Sequence, residues 1–399
     1  MIENRENLKN YFKRNSNVKT MLFTMGYIIW LFSYLIVRLQ QFETSYSPII
    51  KIAKYMGLAI AFLVICIDLK NYFSIKNFII GILLLVFIFV NNGFLGGVSV
   101  WWQLCIFIFA AKRINFKFFL KAVLIFLCLY YGGTILLSQF GIIANNATYR
   151  ATNVRDSLGF GWSTWPVHGF LYIVSIYSIL RNKNIRIIEI ILLEFINMYL
   201  YMYTNTRSPM ILITLYLCFI VMYKYMRIDI MKIKFFRIAY LWIAPILTLI
   251  IYWISKNYST YAHWDSFLSG RLLLGFSSLQ QFGVHLFGQP ILFNTNRDVI
   301  GTKYLFVDSS FLQYMIRFGI VSLVILLVIT ILFQKRLLKT GNTILMVSFT
   351  LVLVNGFLDP EYIEPYYNVF LILFAALFNS EGLNGLEDID KEVRSNSSF

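Results

Sequence analysis

Apolar runs that could each form a helix across the roughly 30 Å hydrocarbon core of a bilayer recur along the whole chain. They lie near residues 21–37, 47–67, 78–90, 98–111, 119–137, 158–180, 187–203, 210–226, 238–254, 309–333, 343–358 and 366–378. The pattern predicts an all-α polytopic membrane protein of about twelve transmembrane helices. Several runs are shorter than about 17 residues and must borrow polar flanks, so eleven or thirteen crossings would also fit. Residues 1–20 are polar and basic, and the run Met21 to Val37 ends at Arg38 without a small-residue cleavage pattern. That predicts a retained first span rather than a cleaved signal peptide. The expected organisation is a cytoplasmic segment 1–20, a single transmembrane domain 21–378 with a large outer loop 255–308, and a cytoplasmic tail 379–399.

Composition agrees, since 59% hydrophobic residues against 14% charged leave too little polar surface to coat a soluble globule of 399 residues. The formal charge of +16 would suggest nucleic acid in a soluble protein. Its distribution suggests topology instead. With the N-terminus placed inside, the inner segments hold 23 Lys+Arg and the outer ones 10. Both ends are therefore expected in the cytoplasm, in the plasma membrane of a bacterium, with no nucleic-acid partner. Cys66, Cys105, Cys128 and Cys218 all fall inside apolar runs, read as small buried hydrophobes and indicate neither a disulfide framework nor a metal site.

Candidate chemistry gathers on the outer side, where the 54-residue segment 255–308 contains little that looks like linker. From Gly270 to Phe282, Leu272, Leu273, Phe276 and Leu279 share one helical face and Ser277, Ser278 and Gln281 another. This predicts an amphipathic helix lying in the outer interface, with Arg271 at its N-terminal end. Positive charge is disfavoured on the outer side, yet Arg150, Arg155, Arg207, Arg271 and Arg297 lie in outer loops and Arg317 about two turns inside the tenth span. Arginine is suited to bidentate grip on phosphate. Arg317 could equally snorkel outward or pair with a buried acid.

A base or anion for sugar chemistry could come from Glu43, Asp156, Asp265, Asp298, Asp308, Asp359, Glu361 or Glu364. Charges at helix ends are also ordinary caps. Asp308 opens the tenth span with Tyr314 about two turns in, and Asp359, Glu361 and Glu364 crowd one short turn. His168, inside the sixth span, needs a partner whether its role is functional or structural. His263 and His285 stand too far in sequence from further ligands to suggest a metal. Glu189 and Glu194 in the seventh span read as structural partners. Tyr258, Tyr261, Trp162, Trp165 and Trp264 could offer flat faces to sugars. No Gly-Lys dipeptide occurs, so no P-loop is present, and Asp388-Ile-Asp390 belongs to a polar tail.

Several short segments, in order and on one side, resemble those of Wzy-type polysaccharide polymerases, within the broader group that includes O-antigen ligases. They are Arg155-Asp-Ser-Leu-Gly-Phe-Gly, Asn205-Thr-Arg207-Ser, Ser269-Gly-Arg271 followed by Leu286-Phe-Gly288, and Asp308-Ser-Ser. The resemblance spans roughly residues 150 to 330 and the overall topology. It implies a metal-independent membrane glycosyltransferase without a cofactor, acting on undecaprenyl-pyrophosphate-linked oligosaccharides. A chain-length regulator and a flippase of the same pathway are the further partners it implies. Arg155, Arg207 and Arg271 would hold pyrophosphate and favour its departure as an anion. Asp308 would sit near the reacting sugars, His168 is a further catalytic candidate, and Arg317 and Tyr314 would contribute to glycan binding. Two departures stand out. Arg271 to Gly283 is one residue longer than the usual spacing, and the segment after Gly161 lacks the usual His-Pro-Asn.

An O-antigen-type ligase would share donor and topology, and a lipid-linked oligosaccharide flippase or other transporter would share the twelve-span layout. Transporters usually betray internal repeats and paired interrupted helices, and the sequence shows neither. A composition rich in Ile, Asn, Lys and Tyr points to an AT-rich bacterium, which favours capsule or exopolysaccharide over O-antigen.

Overall fold

The structure, a computed structural model, describes residues 2–40, 48–67, 100–150, 153–294 and 304–387, with isolated positions between 79 and 88. These form helices α1 (Ile2–Leu35), α2 (Pro48–Ile67), α3 (Trp101–Ala110), α4 (Phe116–Gln139), α5 (Trp165–Arg181), α6 (Ile187–Thr204), α7 (Arg207–Tyr225), α8 (Lys234–Lys256), α9 (Arg271–Phe282), α10 (Ser310–Leu338) and α11 (Thr343–Leu358). A tighter 3-10 helix, Val369–Leu377, follows α11. Between α4 and α5, β1 (Ala147–Arg150) and β2 (Asn153–Asp156) form an antiparallel hairpin with Thr148 opposite Arg155.

Among the described residues seven helices are long and apolar enough to cross a membrane: Asn17–Arg38 within α1 and its extension, α2, α4, α6, α7, α8 and α10. Their outer faces carry exposed Leu129, Phe195, Met202, Leu215 and Leu249. An apolar surface of that kind is stable against hydrocarbon and not against water. Cys66, Cys128 and Cys218 lie on the same exposed side, not buried as the apolar runs suggested. Helix starts follow side-chain chemistry: Asn115 accepts from the Phe118 amide at α4, and Asn342 from Leu345 at α11.

Several expected spans differ from what the sequence suggested. Seven of the thirteen residues of the third lie outside the described residues, and the fourth is the ten-residue α3. The sixth starts at Trp165, because residues 157–164 form turns pinned by a bridge between Leu39 and Phe160. The last apolar run winds as a 3-10 helix of 9 residues, about 18 Å long at its rise of about 2 Å per residue.

α10 is broken at Gly319, whose φ of 85° and ψ of 166° fall in a region only glycine adopts without strain. The loop 285–289 replaces the lost helix bonds. Ile320 and Val321 donate to the carbonyls of His285 and Leu286, while the Gln289 backbone and side chain donate to the Arg317 and Ile316 carbonyls. The interruption escapes a reading based on hydropathy, because both halves of the helix are apolar. A Cβ at position 319 would stand 2.5 Å from the Phe287 carbonyl carbon. Gly319→Ala should therefore destabilise the protein by at least ~2 kcal/mol, read as an earlier thermal unfolding transition in detergent. An unchanged transition would mean that the loop does not dock there.

Candidate functional site

Arg271 is placed by the turn that precedes it. Ser269 and Gly270 both take positive φ, and Asp265 accepts from the Leu272 and Leu273 amides, capping the first turn of α9. Asp265, a candidate base by sequence, thus serves as a cap. The buried face of α9 consists of Leu272, Gly275 and Ser278, with Leu273 exposed. This differs from the expected split into a leucine face and a serine face. Gly275 explains it, since a Cβ there would meet Ser255 Oγ at 2.8 Å, so the small-residue face is the one that approaches α8 closely.

Two further elements converge on Arg271. After α11 ends at Leu358 the chain turns back on itself, and a Cβ on Gly356 would meet Tyr362 at 2.6 Å. Ser310 Oγ donates to the Asp359 carbonyl at 2.7 Å and Tyr172 Oη to the Glu361 carbonyl at 3.3 Å. This fixes Asp359 against the start of α10 and Glu361 against the middle of α5. His168 sits in the first turn of α5, where the adjacent Gly169 leaves room for the Tyr131 ring.

The result is one connected cluster. Arg271 Nη2 donates to Asp359 Oδ1 at 2.6 Å, Nε to Asp308 Oδ2 at 3.4 Å and Nη1 to Ser208 Oγ at 3.4 Å. Ser208 Oγ donates to Asp359 Oδ2 at 3.0 Å. His168 Nε2 lies 3.5 Å from both Asp359 Oδ1 and Glu361 Oε1, and its Nδ1 is 3.4 Å from the Asn355 side-chain amide. Exposure is graded: the side chains of Asp308 and Arg271 are 25% and 19% exposed, those of Asp359 and Glu361 5%, and that of His168 1%. Asp308 and Arg271 therefore form the mouth, and His168, Asp359 and Glu361 the closed floor.

One guanidinium faces three carboxylates here, and the local electrostatics reflect that imbalance. Burial alone would raise Asp359, but Arg271 and then His168 outweigh it and hold the carboxyl down at about 2. Burial pushes Glu361 up to about 7, opposed by His168 and reinforced by the charge on Asp359. Burial works against the charged form of Arg271, yet Asp359, Asp308 and Glu361 raise its pKa further. His168, Asp359 and Glu361 also bring three possible metal-ligand atoms within 4.8 Å of one another.

Of the residues singled out in the sequence, Arg271, Asp308 and His168 come together. Arg207 is exposed in the first turn of α7, next to Ser208. Arg155 lies elsewhere, donating to the Thr204 carbonyl at 2.7 Å and Thr206 Oγ1 at 3.0 Å, where it clips the hairpin to the α6–α7 turn. Tyr314 is buried, stacked on Phe318 and edge-on to Trp101. Arg317 lines a separate cavity of about 120 Å³ with Trp101, Phe318, Glu364 and Tyr366. Arg297, Asp298, Glu43 and the Asp388-Ile-Asp390 tail lie outside the described residues. Glu189 pairs with Arg181 at 2.6 Å and Glu194 accepts from Thr214 at 2.7 Å, both structural as expected.

Asp359 and Glu361 were visible as crowded carboxylates, but their partnership with His168 was not. Ser208 follows Arg207 in the segment Asn205-Thr-Arg207-Ser, and Asn355 is a lone amide in an apolar run, the usual mark of a buried polar partner. Arg38, which in sequence only ends the first apolar run, places its guanidinium 4.6 Å from the Trp165 ring centre and 4.7 Å from that of Tyr366. Beside the mouth, Ile254, Tyr261, Trp264, Phe267, Leu268 and Leu272 line an apolar groove of about 270 Å³. Comparison with known protein families, with characterised proteins and with solved structures finds no match for this chain.

Proposed function

We propose that this membrane protein is an oligosaccharide repeat unit polymerase, joining undecaprenyl-pyrophosphate-linked units into a capsular or exopolysaccharide at the outer leaflet. In this reading the chain crosses the membrane about twelve times with both ends inside, and segment 255–308 lies on the outer side. The observation that carries it is the cluster at the mouth of the closed floor: a guanidinium held among carboxylates, beside an apolar groove whose wall includes Leu272. An amphiphile with a phosphorylated head and a hydrocarbon tail fits that pairing of surfaces.

Asp308, the most exposed carboxylate of the three, accepts the proton of the acceptor sugar hydroxyl. The oxygen then attacks the anomeric carbon of the donor glycan, the bond to pyrophosphate breaks, and the lipid pyrophosphate leaves as an anion. Arg271 uses N–H donors on each of its three nitrogens within the cluster. A guanidinium has five, so two remain to meet the leaving oxygens, with Arg207 on the exposed side of Ser208. Asp359, Ser208, His168 and Glu361 are positioning residues behind it.

Deleting the gene and separating lipid-linked glycans by length tests this. Single repeat units without long chains are expected. Long chains that remain on the lipid carrier would indicate a ligase, and repeat units trapped on the cytoplasmic side would indicate a flippase. The break at Gly319, with Pro245 inside α8, is the feature that favours a transporter, whose interrupted helices line its substrate site. Here loop 285–289 fills the break, which supports the enzyme instead.

A further inference from the structure

The spacing around His168 on the floor of the cluster is not that of a hydrogen-bonded network. His168 Nε2 stands 3.5 Å from an oxygen of Asp359 and 3.5 Å from one of Glu361, beyond the usual reach of an N–H···O bond, about 2.7–3.2 Å. His168 Nε2 and Glu361 Oε2 are buried with no hydrogen-bond partner, and so is Asn355 Oδ1. Orphaned polar atoms are rare in a closed interior and need a reason.

We infer that His168, Asp359 and Glu361 form a binding site for one divalent transition-metal cation, with zinc the best fit to the donors and their spacing. Zinc binds imidazole nitrogen and carboxylate oxygen at about 2.0–2.2 Å. The edge of a tetrahedron with those bonds is about 3.3–3.6 Å, which matches the separation of His168 Nε2 from each carboxylate. Glu361 Oε2 is a further donor at hand. Exchanging the O and N positions of the Asn355 amide turns its orphaned oxygen toward His168 Nδ1. That oxygen then accepts the Nδ1 proton and leaves the Nε2 lone pair for the metal, the usual outer support of a metal-bound histidine.

A dication between them would favour the charged form of both floor carboxylates, of which Asp359 bonds Arg271 and Glu361 does not. Arg271 on Asp359 Oδ1 does not compete, because a carboxylate oxygen has a second lone pair and ligating carboxylates are commonly hydrogen-bonded as well. The site departs from the metal-independent transferase implied by the sequence resemblance, and it does not rest on the glycosyl-transfer reading. Its place behind Arg271 gives the metal a positioning role, holding Asp359 for the guanidinium.

The test is the metal content of the full-length protein purified in detergent, incubated with zinc and dialysed, together with thermal unfolding in zinc and in chelator. About one equivalent per chain is expected, falling to background in Glu361→Gln and in His168→Ala, with the unfolding transition of the wild type lowered by chelator and restored by zinc. Glu361→Gln preserves volume, and the wild-type measurements decide the matter even if neither variant folds. Background zinc in the wild type, an unfolding transition indifferent to zinc and chelator, or wild-type zinc content in both variants overturns the site.

Discussion

Arg271→Lys is expected to reduce polymer formation at least ~100-fold, the scale seen when a donor to a developing anion is removed, while leaving the protein folded. Lysine keeps a positive charge near Asp359, so the carboxylate held 2.6 Å from Arg271 is not left bare. It cannot span Asp359, Asp308 and Ser208 at once, because an ammonium is a point charge and lacks the planar fork. Arg271→Ala is the less informative change. Removing one partner of a buried pair costs about 3–5 kcal/mol, and lost activity would then be mixed with lost fold. The measurement is polymer length distribution at matched protein levels, with size-exclusion behaviour in detergent as the folding control. Normal chains from a well-folded lysine variant would remove Arg271 from the chemistry.

The second large effect is expected at Asp308. Asp308→Asn keeps the shape and takes away the base, and general-base removal typically costs about 10²–10⁴-fold. Stability should be nearly unchanged, because this side chain is 25% exposed and Arg271 keeps Asp359. The loss should fall on turnover more than on apparent affinity for lipid-linked substrate. Asp308→Glu, which restores the carboxylate about one bond further out, should recover part of the rate. If the asparagine variant retains full turnover, Asp308 serves only to orient Arg271.

The fold was legible wherever hydropathy alone decides structure. The runs near 21–37, 47–67, 119–137, 187–203, 210–226, 238–254 and 309–333 correspond to the seven helices apolar and long enough to span. Hydropathy was blind to conformation within a run. It could not distinguish the 3-10 winding of Val369–Leu377 from an α-helix, nor reveal that Gly319 interrupts α10. The hairpin of β1 and β2 passed unnoticed among polar loop residues.

Local context made parts of the cluster readable. Arg271 stood out as outer arginine at the head of an amphipathic segment, Asp308 as a carboxylate opening a span, and His168 as a histidine within one. Their convergence on Asp359 and Glu361 depends on how the turn after α11 folds against α5 and α9, a long-range contact that residue spacing does not encode. For the same reason the arginines could not be ranked. Arg155 and Arg271 look alike in sequence, yet one is committed to backbone and threonine oxygens and the other to carboxylates.

The central claim is that this one chain makes glycosidic bonds between lipid-linked units. Purified protein in lipid vesicles, given undecaprenyl-pyrophosphate repeat units and nothing else, should yield a ladder of longer lipid-linked chains and free undecaprenyl pyrophosphate, absent with Arg271→Lys. Repeat units that cross the bilayer without lengthening, or that remain single while the same preparation is well folded, would contradict it.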